Sequence, residues 1–152
     1  FRSNYLGYIE EAFLAYKTER YNIKGKDVVA GNCKYYLNDL SFKNFLYPGF
    51  AYGVGYLLEN AVYLELRRLG YIVYTGSFRD KEVDFVAMKD DRVIYLQATY
   101  MLETAQTMER EYAPLLTIGD NYEKYVVSMD EVQFPSNEGV RHIQAWNLKE
   151  IL

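Results

Sequence analysis

The sequence predicts a mixed α/β domain preceded by a small α+β segment. Three observations support this fold class: an amphipathic helical pattern from Val54, three short apolar runs after it, and a second helical pattern near Thr104. The chain has 152 residues, of which 50% are apolar, and this is enough for one core. The predicted order from Val54 is helix, three strands, helix, strand, with the apolar helix faces packed on a mixed sheet.

The first part of the chain is predicted to resemble a winged helix. Apolar residues at helical spacing, including Ile9 and Phe13, predict an opening helix that ends near Glu19. Turn residues at 24–26 and again at 31–32 separate short stretches rich in β-branched and aromatic residues. We therefore expect a helix followed by a small hairpin.

A candidate hinge follows this segment. Residues 48–53 contain a proline and two glycines and interrupt both periodicities. We divide the chain there into a winged-helix-like connector, residues 1–47, and a main domain, residues 48–152. Because the sequence starts at Phe1 and enters a helical pattern almost at once, we expect it to be a piece of a longer polypeptide.

The main domain is predicted element by element from its apolar patterns. A helix over 53–69 ends at Gly70, where a left-handed cap is expected. The other predicted elements are strands at 71–74, 83–88, 93–99 and 125–128, a helix at 104–116, a fifth strand at 140–146, and a short last helix capped by Asn147.

Composition limits the classes of function. Seventeen Lys and Arg face 21 Asp and Glu, and the resulting net charge of −4 argues against affinity based on broad phosphate neutralisation. A localised basic groove remains open. The single cysteine, Cys33, forms no internal disulfide and no cysteine cluster for zinc, which predicts a reducing, cytoplasmic location. No apolar run approaches the roughly 20 residues that span a bilayer, so no membrane partner is expected.

Two acids at strand spacing form the strongest chemical signal. Glu82 and Asp84 are expected on one face of their strand, with Val83 and Phe85 on the other. Carboxylates that share a face can hold a hard cation, although acids near a turn are more often solvated surface.

Neighbouring elements can add ligands to this face. Gln97 and Thr99 share a face of the next strand and are expected beside Asp84. The preceding helix offers Glu59 or Glu65, and helical projection leaves open which of them faces the sheet. Such a set of oxygen ligands predicts weak Mg²⁺ binding.

These residues carry a resemblance to a known superfamily. The helix with Glu59, the strand with Glu82 and Asp84, and the strand with Gln97 and Thr99 resemble the restriction-endonuclease-like superfamily, whose core is αβββαβ. More closely, residues 34–40, 58–66, 109–112 and 120–125 (KYYLNDL, LENAVYLEL, EREY and DNYEKY) look like the uncharacterised C-terminal domain of prokaryotic AAA-type ATPases.

The resemblance implies a site and a partner. It maps the helical acid of the superfamily onto Glu59, the strand acid onto Asp84 and the third ligand onto Gln97. It also implies an ATPase module N-terminal to this chain as a partner, with a nucleic acid or a protein as target. The sequence itself contains no phosphate-binding loop of the Gly-x-x-x-x-Gly-Lys-Ser/Thr type, so no ATP site is expected in it.

The chain departs from the nuclease pattern at two positions. Thr99 stands where the pattern has lysine, so the positive charge that stabilises the developing charge on phosphate is missing. Gln97 in place of an acid removes a ligand charge. Lys81 or Arg79 could reach back as a substitute cation. His142, without a second histidine or a cysteine nearby in sequence, is interpreted as a partly exposed structural residue.

Three functions remain open at this point. The first is a catalytically degenerate recognition or regulatory module attached to an ATPase, which the losses at Gln97 and Thr99 favour. The second is an active Mg²⁺-dependent nuclease that uses Glu59, Glu82 and Asp84. The third is a structural domain that forms dimers or other oligomers through a tyrosine-rich, acidic surface, because five tyrosines lie at positions 35, 36, 47, 52 and 56.

Overall fold

The structure is a mixed α/β domain built on one seven-stranded sheet. This computed structural model describes residues 2–49 and 53–152, with side chains from Tyr5 onward. Its elements are α1 (Arg2–Glu11), β1 (Ala15–Asn22), β2 (Asp27–Leu37), α2 (Leu40–Leu46), α3 (Val54–Arg68), β3 (Ile72–Phe78), β4 (Lys81–Lys89), β5 (Arg92–Ala98), α4 (Ala105–Leu116), β6 (Glu123–Ser128), β7 (Val140–Gln144) and a 3₁₀ helix (Ala145–Glu150).

The sheet is mixed, as the sequence predicts. Its strand order is β2-β1-β3-β4-β5-β6-β7, with parallel pairs at β1–β3, β5–β6 and β6–β7 and antiparallel pairs elsewhere. Helix α3 packs on one face in a core with Phe85, and α4 packs on the other face in a core with Val83. The sheet thus lies between two helical layers, each of which covers an apolar face.

Helix α3 fits its prediction closely. It runs from Val54 to Arg68, and its apolar side contributes Val62 and Leu66 to the core. Gly70 has φ 88°, and the Tyr71 N–H donates to the Leu66 carbonyl, which closes the last turn. The glycine is needed because a side chain at this φ is strained.

The opening helix is shorter than predicted. It ends at Glu11, Phe13 adopts a positive φ of 55°, and residues 15–22 form β1 instead of helix. Cross-strand pairing overrides the helical spacing because β1 gains a ladder with β2 on both sides of a bulge. The apolar spacing that predicts a longer helix is therefore misleading here.

The turn predicted at 31–32 is also wrong. Strand β2 continues through it, and the pairing with β1 shifts register between Thr18 and Arg20, so residues 30–33 lie in a bulge. Both strands belong to the main sheet, since β1 pairs with β3. The division into residues 1–47 and 48–152 stays a prediction from sequence pattern.

Helix α2 has no counterpart among the predicted elements. Asp39 caps it by accepting a hydrogen bond from the Ser41 N–H at 2.8 Å. The predicted hinge, 48–53, includes residues 50–52, which lie outside the described residues, as does Tyr52 of the predicted tyrosine cluster.

A bulge in β4 corrects one face assignment. Tyr74 pairs with Val86 but Gly76 pairs with Val83, so β4 carries one extra residue there. Val83 therefore packs in the α4 core while Phe85 packs in the α3 core, and the prediction that both share a face is wrong. None of the helices in the described part of the chain has the length and apolar character that crossing a membrane requires.

Candidate functional site

The site lies where β4 and β5 stop pairing. The ladder between them begins at Phe85 and Leu96, so the residues before and after this pair have free backbone groups. Side chains satisfy these groups: the Asp84 N–H donates to Gln97 Oε1 at 3.2 Å, and the Ala98 N–H donates to Asp84 Oδ2 at 2.9 Å. Asp84 and Gln97 are thus fixed beside each other, as the sequence predicts.

Helix α3 supplies the acid that faces this point. Glu59 contacts the same lysine as Asp84, and this decides between the two helical candidates. Glu65 lies elsewhere and forms an ion pair with Arg68 at 2.6 Å, one turn along the helix. Glu65 is therefore not part of the site.

Strand β2 is held against α3 by a buried amide. Asn60 is fully buried, accepts from the Leu37 N–H at 2.8 Å and donates to the Leu37 carbonyl at 2.9 Å. Tyr36 stacks on Tyr63 with ring centroids 4.2 Å apart and donates its hydroxyl to Glu59 Oε1 at 2.6 Å. These contacts bring the second half of β2 over the helix.

This placement carries Lys34 into the acids. Its Nζ lies 2.9 Å from Glu59 Oε1, 2.9 Å from Glu82 Oε1 and 3.5 Å from Asp84 Oδ1. One ammonium thus contacts three of the four carboxylates that the sequence names as candidates, and Glu65 is the exception. We call this set of four side chains the Lys34 cluster.

The protonation behaviour of the Lys34 cluster follows from burial and neighbouring charges. Burial and then the Glu59 carboxylate raise the pKa of Asp84 to about 7, against the opposing effects of Lys34 and the Ala98 N–H. Burial by itself would lower the pKa of Lys34, but Asp84, Glu59 and Glu82 outweigh it and raise this pKa. Lys34 therefore stays charged while Asp84 changes its charge near neutral pH.

Two further charges border the cluster. Arg20 forms an ion pair with Glu82, whose side chain is the most exposed of the three acids. On the other side Glu111 of α4 is buried, pairs with Arg110 at 2.7 Å, and adds to the rise in the pKa of Asp84. Glu111 is thus an acid near Asp84 that the sequence analysis does not name, while its candidate Glu65 lies elsewhere.

The remaining predicted residues lie around the cluster without joining it. Thr99 is buried and its N–H donates to the Val127 carbonyl, but among the described residues no side-chain hydrogen bond joins it to the acids. Lys81 lines a cleft with Gln97 and Arg110 and has no ion pair in the described part of the chain. Arg79 lies over the ring of Phe78. The cation at the acids is therefore neither of the two expected substitutes.

His142 is hydrogen-bonded within the fold, but it is buried and not partly exposed as the sequence predicts. Its Nδ1 accepts from the Phe134 N–H at 3.2 Å, so Nε2 carries the proton and donates to Ser128 Oγ at 2.8 Å. Ser128 in turn donates to Asp130 at 2.7 Å. The serine is fully buried and stands between histidine and carboxylate, so this trio lacks the order of a nucleophilic triad.

Sequence reasoning missed Lys34 and Glu111 because both come from distant elements. Lys34 is 25 residues from Glu59 and 50 from Asp84. Both residues lie in segments that carry the family resemblance: Lys34 begins residues 34–40, and Glu111 lies in residues 109–112. The resemblance therefore covered these two residues but assigned them no role at the site.

The arrangement does not fit a divalent cation as it stands. Within residues 2–49 and 53–152, no group of three or more His, Cys, Asp and Glu is arranged to hold a metal ion. The reason is local, because the Lys34 ammonium lies at hydrogen-bonding distance from Glu59 and Glu82. Weak Mg²⁺ binding stays a prediction.

Comparison with known proteins finds two similar proteins, and neither has a described activity. The chain is 36% identical over 126 residues to an uncharacterized protein of Haemophilus influenzae, a match that covers 83% of this chain and 31% of that protein. It is 32% identical over 112 residues to an uncharacterized protein of Methanocaldococcus jannaschii, covering 71% of this chain and 24% of that protein. No protein-family description matches the chain, and no solved structure is significantly similar to it. The chain thus spans less than a third of either relative.

Proposed function

We propose that this chain is a restriction-endonuclease-like domain of an AAA-type ATPase and acts as a non-catalytic recognition or regulatory module. The observation that carries the proposal is the Lys34 cluster. An ammonium pairs with the acids that a nuclease uses for a divalent cation, and the strand lysine is replaced by Thr99. The order of elements from Val54 to Ser128, helix, three strands, helix, strand, supports the fold assignment.

The chemistry of the cluster favours recognition over cleavage. Lys34 is bound to carboxylates and is not free to stabilise charge on a phosphate, and Asp84 is both buried and paired. A salt-bridged strand acid is the arrangement expected if cleavage has been lost. The target is a nucleic acid or a protein, and the ATPase module belongs to the longer polypeptide.

One observation favours a second candidate, an active Mg²⁺-dependent nuclease. Lys34 brings a positive charge within 3.5 Å of Asp84, which is the charge that the strand lacks at Thr99. In this alternative Lys34 replaces the missing strand lysine in function. The two candidates differ in what removal of Lys34 does to cation binding and to cleavage.

The decisive experiment measures divalent-cation binding by calorimetry in wild type, Lys34→Met and Lys34→Gln. If Lys34 blocks the acids, both variants gain affinity for Mg²⁺ or Mn²⁺, by about tenfold or more, which corresponds to roughly 1.4 kcal/mol. Lys81→Met is the matched control, because it removes a nearby lysine that has no ion pair in the described part of the chain. Circular dichroism confirms that each variant is folded.

Cleavage assays separate the second candidate. The longer polypeptide is incubated with DNA or RNA, Mg²⁺ and ATP as wild type, Asp84→Ala and Lys34→Met. We expect equal, background-level turnover in all three. Turnover in wild type that both substitutions abolish would establish a nuclease and reject the non-catalytic module.

A further inference from the structure

Strand β2 has two faces with different roles. Lys34 and Tyr36 point towards the acids, so the alternate residues Tyr35 and Leu37 point to the opposite side. There they line an apolar cleft of about 310 Å³ together with side chains of α2 and α3. The lining residues from the two helices are Phe42, Lys43, Leu46, Tyr47 and Tyr56.

The apolar surface extends from this cleft in two directions. On α2, Phe45 is 83% exposed, although it is a large apolar residue on a helix with only seven residues. On and just after α1, Tyr5 and Phe13 are 66% and 68% exposed. A soluble protein rarely leaves so many aromatic rings uncovered on neighbouring elements.

The two parts are continuous. The Asn38 N–H, between β2 and α2, donates to the Leu14 carbonyl just after α1 at 3.0 Å. This bond places the segment just after α1, with the exposed Phe13 and Leu14, next to the start of α2. We call the whole surface the α1–α2 face.

The size of the α1–α2 face matches an interface. Its exposed side chains are Tyr5, Leu6, Tyr8, Ile9, Phe13, Leu14, Phe42, Phe45, Leu46, Tyr47 and Tyr56. With aromatic side chains presenting about 150–250 Å² each, the exposed surface is roughly 1,000 Å². A stable interface covers about 800 Å² on each partner.

We propose that the α1–α2 face is covered by an apolar, helix-sized segment of the same longer polypeptide, from the part outside these 152 residues. The length of the relatives supports this occupant, because 69% or more of each lies outside the matched region, as coverage of 31% and 24% requires. The inference rests on the part of the proposed function that places this chain in a longer polypeptide. It is independent of whether the Lys34 cluster cleaves, recognises or regulates.

Hydrogen–deuterium exchange on the longer polypeptide tests the proposal. Amides of α2 are expected to exchange at least tenfold more slowly in wild type than in Phe45→Asp, because a charge at the most exposed apolar residue of the face opposes its burial. Phe45→Ser, a milder change, should give intermediate protection. Val132→Asp is the matched control, since Val132 is 66% exposed and lies on the loop before β7, away from the α1–α2 face.

Each outcome of this experiment either supports or overturns the proposal. Equal exchange of α2 in wild type and Phe45→Asp would overturn the proposal, as would a natural polypeptide that ends at these 152 residues. Protection that disappears on dilution together with a dimeric mass would assign the face to a second copy, and this also overturns it. An Asp84-dependent nuclease activity or the lack of an ATPase module would reject the proposed function while leaving protection of α2 unchanged.

Discussion

Asp84 is the residue whose environment departs most from that of an ordinary carboxyl group. It is buried at the end of the β4–β5 ladder, next to Glu59, and its pKa rises to about 7 from 3.8. An acid with a raised pKa binds its proton more tightly in the folded than in the unfolded chain. Stability from this residue is therefore complete below pH 3.8 and is lost as the pH rises to about 7.

The direction of this pH dependence predicts how Asp84→Asn changes the stability of the protein. The variant should be more stable than wild type above pH 7, by on the order of 1–3 kcal/mol, because asparagine mimics the protonated acid and keeps an acceptor for the Ala98 N–H. The difference should shrink towards pH 4. Urea unfolding across this range measures it, with Asp80→Asn in the exposed turn before β4 as the control. A variant that is less stable than wild type at pH 8 would contradict the raised pKa.

His142 gives a pH dependence of the opposite sign. Burial lowers its pKa below 6.5, and a second ring proton would remove the acceptor for the Phe134 N–H. The unfolded chain therefore binds a proton that the folded chain does not, and stability falls as the pH drops below 6.5. Unfolding free energies measured from pH 7.5 to 5.5 in the Asp84→Asn background isolate this effect.

The matched variant is His142→Phe in the same background. It loses stability at every pH because Ser128 and the Phe134 N–H lose a partner. Its stability should nevertheless be flat between pH 7.5 and 5.5. A slope equal to that of the histidine-containing protein would assign the pH dependence to another group.

At the scale of elements, the contact between α3 and β2 decides where Lys34 lies. Asn60 imitates a neighbouring strand by bonding both backbone groups of Leu37. Tyr36 continues the contact with its stack on Tyr63 and its bond to Glu59. The second half of the edge strand β2, after its bulge, is thus attached to α3 by the Asn60 amide and by the stacked rings of Tyr36 and Tyr63.

Asn60→Leu tests this attachment. The change keeps the number of side-chain heavy atoms but leaves two backbone groups of Leu37 without partners, so we expect a loss of about 2–4 kcal/mol in unfolding free energy. Denaturant unfolding measures the loss. Asn121→Leu, at an exposed position, should change stability by less than about 0.5 kcal/mol. If both variants behave alike, the amide does not hold β2.

At the scale of the whole molecule, one sheet connects the acids to an apolar surface. Alternate residues of β2 face the Lys34 cluster and the α1–α2 face, so a single strand borders both. The net charge of −4 leaves nucleic-acid affinity to local features of this kind. The proposed recognition site and the proposed attachment surface therefore share one edge of the sheet.

Restoring the residues of the nuclease pattern tests whether the whole molecule can cleave nucleic acid. Loss of one preorganised charge-stabilising group costs about 10²-fold or more in rate, so the wild-type chain should not cleave above background with Mg²⁺ or Mn²⁺. Gln97→Glu with Thr99→Lys, made with and without Lys34→Met, restores the pattern. Asp84-dependent cleavage in either variant would identify a nuclease relic, and its absence in both would mean that the fold has been repurposed more deeply.

The sequence by itself determined the local patterns of this protein. Helix α3 with its Gly70 cap, the strands that carry Asp84 and Gln97, and helix α4 are visible because periodicity and end signals act over a few neighbouring residues. The same locality explains why Glu59, Asp84 and Gln97 could be named as candidates. It also explains the failure at residues 15–19, where spacing favours a helix but pairing with β2 favours a strand.

Only the tertiary structure decided what those residues face. The bulge that separates Val83 from Phe85, the choice of Glu59 over Glu65, and the arrival of Lys34 among the acids depend on contacts between residues far apart in sequence. No pattern along the chain encodes them, because they arise when an edge strand packs on a helix through Asn60. Glu59, Glu82 and Asp84 were therefore predictable as candidates from sequence, whereas Glu111 and the lysine that pairs with these acids were not.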